Sequence, residues 1–233
     1  MLWTATNSEG YPAPVALAVD VVVLAVRSGA LSVLVTDPGD GPPALPGGFV
    51  GPEEDPLDTA RRKLREKTGL HRPGLEQLAT FATPGRDARG WIPTVAHLVL
   101  VPADVESERA RWLPARGRHP LAHDHRRILR TAVERVEGKL WWSNVAAGAL
   151  PASFALSQAR AVYAAIAKVD YDPATFARDL KATGLVEATG EQRSAGPGRP
   201  AALYRFVSQR PAWGSGRRKR VAPHSYSMMS GGG

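Results

Sequence analysis

Hydrophobic and polar positions divide the start of the chain into strands and a loop. Residues 16–26 and 31–36 are aliphatic and rich in β-branched side chains, and the turn sequence Arg27 to Ala30 lies between them. This pattern predicts a hairpin of two antiparallel strands. Residues 36–48 hold four prolines and four glycines. Such a segment excludes a helix, and its glycines let the backbone approach a ligand closely.

A helix and two more strands are predicted next. Asp55 as the N-cap and Pro56 as the first helical residue begin the helix, and Gly69 ends it. Residues 75–82 and 94–101 are predicted strands. The polar loop between them, TPGRDARGWIP, is rich in turn residues and arginine, and we regard it as a candidate ligand lid.

The second half of the chain changes in pattern. Apolar residues recur at helical spacing from Leu121 to Val136, so an amphipathic helix is expected to close the first domain. Proline and glycine at 148–151 mark a boundary. A helix over 157–167 is then expected, followed by a second that Asp172 and Pro173 open and Gly184 caps.

A polar β-ribbon completes this second domain. The apolar stretches LVEA and ALYRFV are joined by TGEQRSAGPGRPA, which has turn chemistry and is too polar to bury. Helix, turn, helix and basic ribbon are typical of a winged helix-turn-helix. We therefore predict an α+β protein with domains at 1–148 and 149–208, and a basic, glycine-rich tail at 209–233 that is expected to be disordered.

Charge and composition restrict the function classes. Residues 150–233 carry 12 Lys and Arg against 5 Asp and Glu, whereas residues 1–149 carry 18 against 17. The second portion therefore attracts a polyanion such as nucleic acid, although a merely soluble basic domain has the same composition. The sequence has no cysteine and no apolar run of membrane-spanning length. We expect no disulfide, no membrane partner and a cytoplasmic protein.

One short motif carries the candidate chemistry. Residues 48–70 resemble a Nudix box, whose family pattern is G-x5-E-x7-R-E-U-x-E-E-x-G-U with U a bulky aliphatic residue. Seven positions agree with it: Gly48, Glu54, Arg62, Leu64, Glu66, Gly69 and Leu70. Lys63 and Lys67 stand where the family has carboxylates. The resemblance implies a Nudix-like α/β/α sandwich for the first domain.

The two lysines change what this helix can bind. Positions 63, 66 and 67 share one helix face, and two ammonium groups beside one carboxylate repel Mg²⁺, which prefers anionic oxygen ligands. We predict no metal site and no catalytic residue, although Glu54 and Glu66 leave a weak alternative metal site open. Lysines near a glycine-rich loop can instead hold phosphate. The alternative is that both lysines are simply solvated and that Arg62 pairs with Glu66.

The candidate ligand residues follow from this interpretation. Arginine forks in the lid could grip a pyrophosphate, although a solvated surface loop is an equal alternative. The predicted effector contacts are Gly48, Arg62, Lys63, Glu66, Lys67, Arg86 and Arg89. Three histidines, His119, His123 and His125, are expected to be structural or to lie near the ligand, since their spacing does not suit joint chelation on a helix.

The predicted DNA contacts lie on the second helix of the winged domain and on its ribbon. Phe176 and Leu180 are four apart and can face the core, so other positions point outward. Arg178 is the first candidate for a base or phosphate contact, because arginine commonly reads guanine, and the alternative is a role in phosphate binding alone or in solvent. Asp179 is unfavourable beside DNA unless it pairs with Arg178. The full set is Thr175, Arg178 and Lys181 on the helix with Arg193 and Arg199 on the ribbon.

Taken with these motifs, the blocks LEQLATF, GRDARG, GKL and GRPA.LYRF resemble the Nudix-related transcriptional regulator family, NrtR, from about residue 16 to 207. The resemblance implies a homodimeric repressor of genes for NAD synthesis or salvage. It also implies double-stranded operator DNA as partner and ADP-ribose or a related NAD-derived nucleotide as effector, with no required cofactor. Ala155, Ala177 and Asp179 depart from the family pattern. The rival interpretation is a divergent Nudix hydrolase of ADP-ribose-like nucleotides.

Overall fold

The computed structural model describes residues 6, 8–10, 16–71, 74–194 and 200–208. These residues divide into two compact units. The first contains the described residues within 1–24, 33–99 and 106–132, and the second contains those within 25–32, 100–105 and 133–233. The domain limits predicted above stay predictions, and the predicted tail, 209–233, lies outside the described residues. Within the described part of the chain, no helix is both long and apolar enough to cross a membrane.

The described residues contain a six-stranded sheet and a smaller one of three strands. The strands of the larger sheet are β1 (Ala18–Arg27), β2 (Ala30–Val35), β3 (Gly47–Phe49), β4 (Glu76–Phe81), β5 (Thr94–Leu100) and β6 (Arg111–Pro114). Five of them follow the order β4-β5-β1-β2-β6, and β3 pairs antiparallel with β1. The predicted hairpin is confirmed: Ser28 and Gly29 both have positive φ, 47° and 75°, as a two-residue turn between twisted strands requires.

Helix α1 (Pro56–Thr68) follows β3, and its predicted ends are confirmed. The Asp55 side chain accepts a hydrogen bond from the Leu57 N–H at 2.7 Å. Gly69 adopts φ 75° and donates its N–H to the Arg65 carbonyl. The cap and the left-handed glycine satisfy backbone groups that a helix leaves open at its ends.

Helix α2 spans His125–Lys139, so the predicted start at Leu121 is wrong. His123 has φ 50°, and the Ala122 N–H donates to the Pro43 carbonyl at 2.9 Å. A left-handed residue and a hydrogen bond to a distant loop are incompatible with a continuing helix. The apolar side chain at 121 therefore precedes the helix.

The second unit contains the predicted winged arrangement. Its elements are a short 3-10 helix (Val145–Ala149), β7 (Phe154–Ala155), α3 (Leu156–Ala167), α4 (Pro173–Ala182), β8 (Val186–Arg193) and β9 (Ala201–Phe206). The strands form a sheet of order β7-β9-β8. Strands and helices occur in both units, so the α+β prediction is confirmed.

An aromatic cluster forms the core beneath α3 and α4. The Trp141 ring meets the Tyr163 ring at a centroid distance of 5.2 Å, and those of Tyr171 and Phe176 at 5.6 Å. These contacts are edge-to-face, a preferred geometry for aromatic pairs. Trp141 is thus a packing residue of this unit, whereas Trp142 is 48% exposed.

Candidate nucleotide site and DNA interface

Ion pairs link residues of the Nudix box in a chain that runs from Glu54 into α1. Arg62 Nε donates to Glu54 Oε1 at 2.8 Å, and Arg62 also donates through one terminal nitrogen to Glu66 Oε1 at 3.1 Å. Lys63 Nζ donates to the other oxygen of Glu66 at 2.9 Å. The Gly51 N–H donates to Glu54 at 3.2 Å, which fixes the turn before the helix. Two cations and two carboxylates therefore neutralise one another.

The same contacts keep both carboxylates ionised. The hydrogen bonds from Arg62 lower the pKa of Glu54 to about 2. The hydrogen bond from Lys63 is the largest cause that lowers the pKa of Glu66, and Arg62 adds to it. Carboxylates stabilised by neighbouring cations stay charged at neutral pH.

Gly48 makes room for Lys63. A Cβ atom added to Gly48 would lie 2.8 Å from Lys63 Cε and 2.9 Å from Lys63 Cδ, so the aliphatic stem of the lysine lies against the glycine backbone. Lys67 is exposed on the same helix. The structure thus brings Gly48, Lys63 and Glu66 together at one end of the Gly/Pro loop.

The donor set does not fit a divalent cation. Both Glu54 and Glu66 are engaged by Arg62, and the ammonium of Lys63 lies beside Glu66. A Mg²⁺ site needs several oxygen ligands without a competing cation. Among the described residues, no group of three or more metal-ligating side chains could hold a metal ion.

Arg86 of the candidate lid is buried in an ion-pair network. Its side chain is 3% exposed, and it donates to Asp124 Oδ1 through Nε at 3.1 Å and through a terminal nitrogen at 2.7 Å. It also donates to the Ile92 carbonyl at 2.9 Å and lies 3.5 Å from Asp20 Oδ2. The guanidinium therefore ties the loop to β1 and to the residue before α2.

His125 joins the same network through both ring nitrogens. The Leu45 N–H donates to His125 Nδ1 at 3.0 Å, and His125 Nε2 lies 3.2 Å from Asp20 Oδ1. Burial raises the pKa of Asp20, but the hydrogen bond and charge interaction with His125, with a smaller contribution from Arg86, outweigh it and hold that pKa below its usual value. Asp20 was not among the predicted site residues, and its sequence signal was a carboxylate inside an apolar strand. His125 was expected to be structural or to lie near the ligand, and it is buried in this network.

Arg89 lies at the surface of the loop. Its Nε donates to Asp87 Oδ1 at 2.9 Å, which lowers the pKa of the Asp87 carboxyl. The guanidinium carbon lies 4.8 Å from the centroid of the Phe49 ring, and that aromatic side chain is 42% exposed. An exposed arginine stacked on an exposed aromatic ring can contact a planar, anionic ligand. The two predicted lid arginines thus differ, one being buried and one being exposed.

The predicted DNA-binding residues of α4 are separated from its buried face. Phe176 and Leu180 are buried, whereas Arg178 is 71% exposed and Lys181 is exposed. Arg178 Nε donates to Asp179 Oδ1 at 2.9 Å, so the pairing anticipated from the sequence is present. The Thr175 N–H donates to Asp172 at 2.8 Å and places Thr175 in the first turn.

The predicted ribbon contacts are only partly described. Arg193 is exposed at the end of β8, and Arg199 lies outside the described residues. A further cation of the ribbon, Arg205, pairs with Glu187 across β8 and β9 at 2.8 Å. Exposed cations thus lie on both α4 and β8, the two elements on which DNA contacts are predicted.

Comparisons with known proteins agree with this architecture. A family model described as the NUDIX domain matches residues 14–132, and one described as the NrtR DNA-binding winged helix domain matches residues 146–206. The chain is 34% identical over 217 residues to an ADPR responsive transcriptional repressor, NtrR, of Acinetobacter baylyi, covering 87% of this chain and 86% of that protein. It is 28% identical over 120 residues to an ADP-ribose pyrophosphatase of Methanocaldococcus jannaschii, covering 49% of this chain and 71% of that one.

Solved structures give the same result for the whole fold. Shewanella oneidensis NrtR complexed with a 27mer DNA has a TM-score of 0.70 and 33% identity, covering 82% of this chain and 93% of that chain. A MutT/nudix family protein of Enterococcus faecalis has a TM-score of 0.70 and 28% identity, covering 84% and 87%. With a repressor relative matched over nearly its full length and both domain models in order, the chain belongs to the NrtR family, a Nudix domain followed by a winged helix.

Proposed function

We propose that this protein is a transcriptional repressor whose winged helix binds operator DNA and whose Nudix domain binds ADP-ribose or a related NAD-derived nucleotide. The observation that carries it is the 34% identity to an ADPR responsive repressor over 86% of that protein's length. The exposed Arg178 and Lys181 on α4 support the DNA-binding half. Genes for NAD synthesis or salvage are the proposed targets, which puts its action in the cytoplasm beside genomic DNA.

The effector is proposed to bind without a metal ion. In this view Lys63 supplies a tethered positive charge where an ordinary Nudix enzyme would use a cation, and Lys67 adds a second. The 2.9 Å contact between Lys63 and Glu66 supports this, because the ammonium already compensates the carboxylate. Gly48, Arg62 and Arg89 are proposed to complete the contacts, while Arg86 acts indirectly by holding the loop.

Coupling between nucleotide and DNA requires two arrangements of the protein. A ligand shifts an equilibrium only by its difference in affinity for the two states. We propose that the protein acts as a homodimer whose two winged helices contact one operator, and that the nucleotide favours the arrangement that does not bind DNA.

A hydrolase is the second candidate, supported by the 28% identity to an ADP-ribose pyrophosphatase over 49% of the chain. We propose that this activity is absent, because the carboxylates that would hold a metal are paired with cations. Changing both Lys63→Glu and Lys67→Glu should create Mn²⁺ binding, measured by calorimetry, and weaken metal-free ADP-ribose binding on the order of tenfold. The matched control is Arg61→Glu with Arg65→Glu, which changes the charge of the same helix equally. If the control gained Mn²⁺ binding too, general charge rather than the box positions would be responsible.

The proposed function is tested by a mobility shift with DNA from the region upstream of the protein's own gene. The assay is run with and without ADP-ribose, in Mg²⁺ and in EDTA. Specific binding that ADP-ribose releases equally in both buffers is the expected result. Failure to bind the DNA specifically, together with Mg²⁺-dependent loss of ADP-ribose, would replace the repressor by the hydrolase.

A further inference from the structure

The outward side of α4 carries few side chains that could read bases. Arg178 and Lys181 are exposed there among small residues, namely Ala174, Ala177 and Ala182. Alanine methyl groups can meet thymine methyl groups but cannot distinguish bases by hydrogen bonds. Guanine recognition by this helix therefore rests on Arg178 and Lys181, and the contribution of Arg178 depends on how its guanidinium is presented to the groove.

Asp179 determines that presentation in the structure. Its side chain is 16% exposed, whereas that of Arg178 is 71% exposed, so the carboxylate lies closer to the helix than the guanidinium it holds. The hydrogen bond uses Arg178 Nε. The two terminal nitrogens of the guanidinium thus keep hydrogens to donate, and guanine O6 and N7 accept such a pair.

The position of Asp179 is not explained by helix stability. It lies in the last turn of α4, which ends at Ala182. A negative charge near a helix C-terminus is unfavourable with respect to the helix dipole. A carboxylate on a DNA-facing helix is also repelled by phosphate. Both effects act against Asp179, and its ion pair with Arg178 is a contact that offsets them.

We propose that Asp179 is a specificity-determining positioning residue, which orients Arg178 to read a guanine of the operator. This role rests on the proposed function, since Arg178 must reach bases. The hydrogen bond to Asp179 restricts the flexible Arg178 side chain to conformations that can contact guanine. The negative charge of Asp179 also weakens the attraction of α4 to DNA phosphates, whatever the DNA sequence. Asp179 thus increases the preference for the correct base while decreasing affinity for DNA in general.

Two substitutions separate orientation from charge. Asp179→Asn removes the charge and keeps an oxygen that can accept from Arg178 Nε, whereas Asp179→Ala removes both. Glu187→Gln is the matched control, because it removes one exposed carboxylate that also pairs with an arginine, Arg205, elsewhere in the same unit. Arg178→Ala identifies the base that the arginine reads. Thermal unfolding checks that every variant is folded.

The experiment is selection of bound duplexes from a library with randomised sequence, followed by affinity measurements on the selected duplex and on its guanine-substituted versions. The wild type should select a motif in which Arg178→Ala abolishes the preference for one guanine. Asp179→Ala should reduce discrimination at that base on the order of tenfold, and Asp179→Asn should reduce it less. Both should bind non-selected DNA more tightly than the wild type, as Glu187→Gln should.

Other outcomes overturn the inference in distinguishable ways. If Asp179→Ala and Asp179→Asn keep the same guanine preference as the wild type, Asp179 only neutralises charge. If both lose it equally, the charge and not the orientation is needed. If Arg178→Ala keeps every preference, Arg178 is not the reader. A wild type that selects no motif contradicts the proposed function itself.

Discussion

At the residue scale, the adjacent Gly47 and Gly48 each leave room for a different neighbouring group. A Cβ atom on Gly47 would lie 2.4 Å from the Val19 carbonyl oxygen and 2.6 Å from Asp20 Oδ1, whereas on Gly48 it would meet only the Lys63 side chain at 2.8 and 2.9 Å. Backbone and a buried carboxylate cannot move easily, but a lysine stem can. The first glycine is therefore needed for folding and the second for the position of Lys63.

Gly47→Ala should lower the free energy of unfolding by about 1–3 kcal/mol, the usual cost of overpacking. Gly48→Ala should change it much less and should weaken ADP-ribose binding several-fold by displacing Lys63. Urea unfolding and calorimetry of the two variants check both expectations. Equal stability of the two variants would contradict the assignment of separate roles.

Arg86 and Arg89 provide a second contrast within one loop. Arg86 is 3% exposed with two carboxylates around it, and Arg89 is 58% exposed beside Asp87. Removing one partner of a buried ion pair leaves an unpaired buried charge. Arg86 is therefore the loop arginine that matters more for stability.

Arg86→Ala should destabilise the protein by about 3–5 kcal/mol. Arg89→Ala should cost less, about 1–3 kcal/mol, because the buried Asp87 carboxylate loses the guanidinium but keeps the backbone N–H of residue 89. Denaturant midpoints measure both. Arg89→Ala should still weaken effector binding, because it removes the cation that lies over the Phe49 ring. A stable Arg86→Ala variant would mean that Asp20 and Asp124 find other partners.

At the scale of elements, helix α3 lacks half of its N-terminal cap. The Ala155 N–H donates to Gln158 Oε1 at 2.9 Å, but alanine has no side-chain oxygen to accept from the first turn. The backbone at Ala155, φ −77° and ψ 149°, already suits an N-cap residue. Only the hydroxyl of a complete capping box is missing.

Ala155→Thr should raise the free energy of unfolding by about 1 kcal/mol, as N-cap replacements generally do. Ala155→Val is the matched control, since valine has the shape of threonine without the hydroxyl, and it should give no such gain. Urea unfolding followed by far-UV circular dichroism makes the comparison. Equal gains in both variants would attribute the effect to packing against β9 instead of capping.

Elements with a local signal were predictable from the sequence, and elements that depend on distant partners were not. Asp55 and Gly69 fixed the ends of α1 because caps act within one turn. Strand β3 has only three residues, and two of them are glycine. It is a strand because it pairs with β1. The network of Arg86, Asp20 and His125 likewise joins positions far apart in the chain, so no local sequence pattern predicts it.

At the scale of the whole molecule, the charge asymmetry agrees with a division of tasks. In the Nudix box, Arg62 and Lys63 are paired with Glu54 and Glu66. The winged unit has exposed cations on α4 and β8, namely Arg178, which Asp179 partly neutralises, with Lys181 and Arg193. A short nucleotide needs a few fixed cations, and a duplex needs a broad positive surface. Communication between nucleotide and duplex must then be a property of the whole protein.

Linkage makes that communication measurable from both sides. If ADP-ribose weakens operator binding by some factor, operator DNA must weaken ADP-ribose binding by the same factor, because both describe one coupling free energy.

Titrating ADP-ribose by calorimetry with and without the selected duplex, and the duplex by fluorescence anisotropy with and without ADP-ribose, should give equal factors in the same EDTA buffer. We expect a factor of roughly 5 to 150, the usual range for allosteric coupling. A duplex of scrambled sequence should leave the ADP-ribose affinity nearly unchanged. If operator DNA did not alter ADP-ribose affinity at all, ADP-ribose could not release the DNA at equilibrium, and the two-state mechanism would fail.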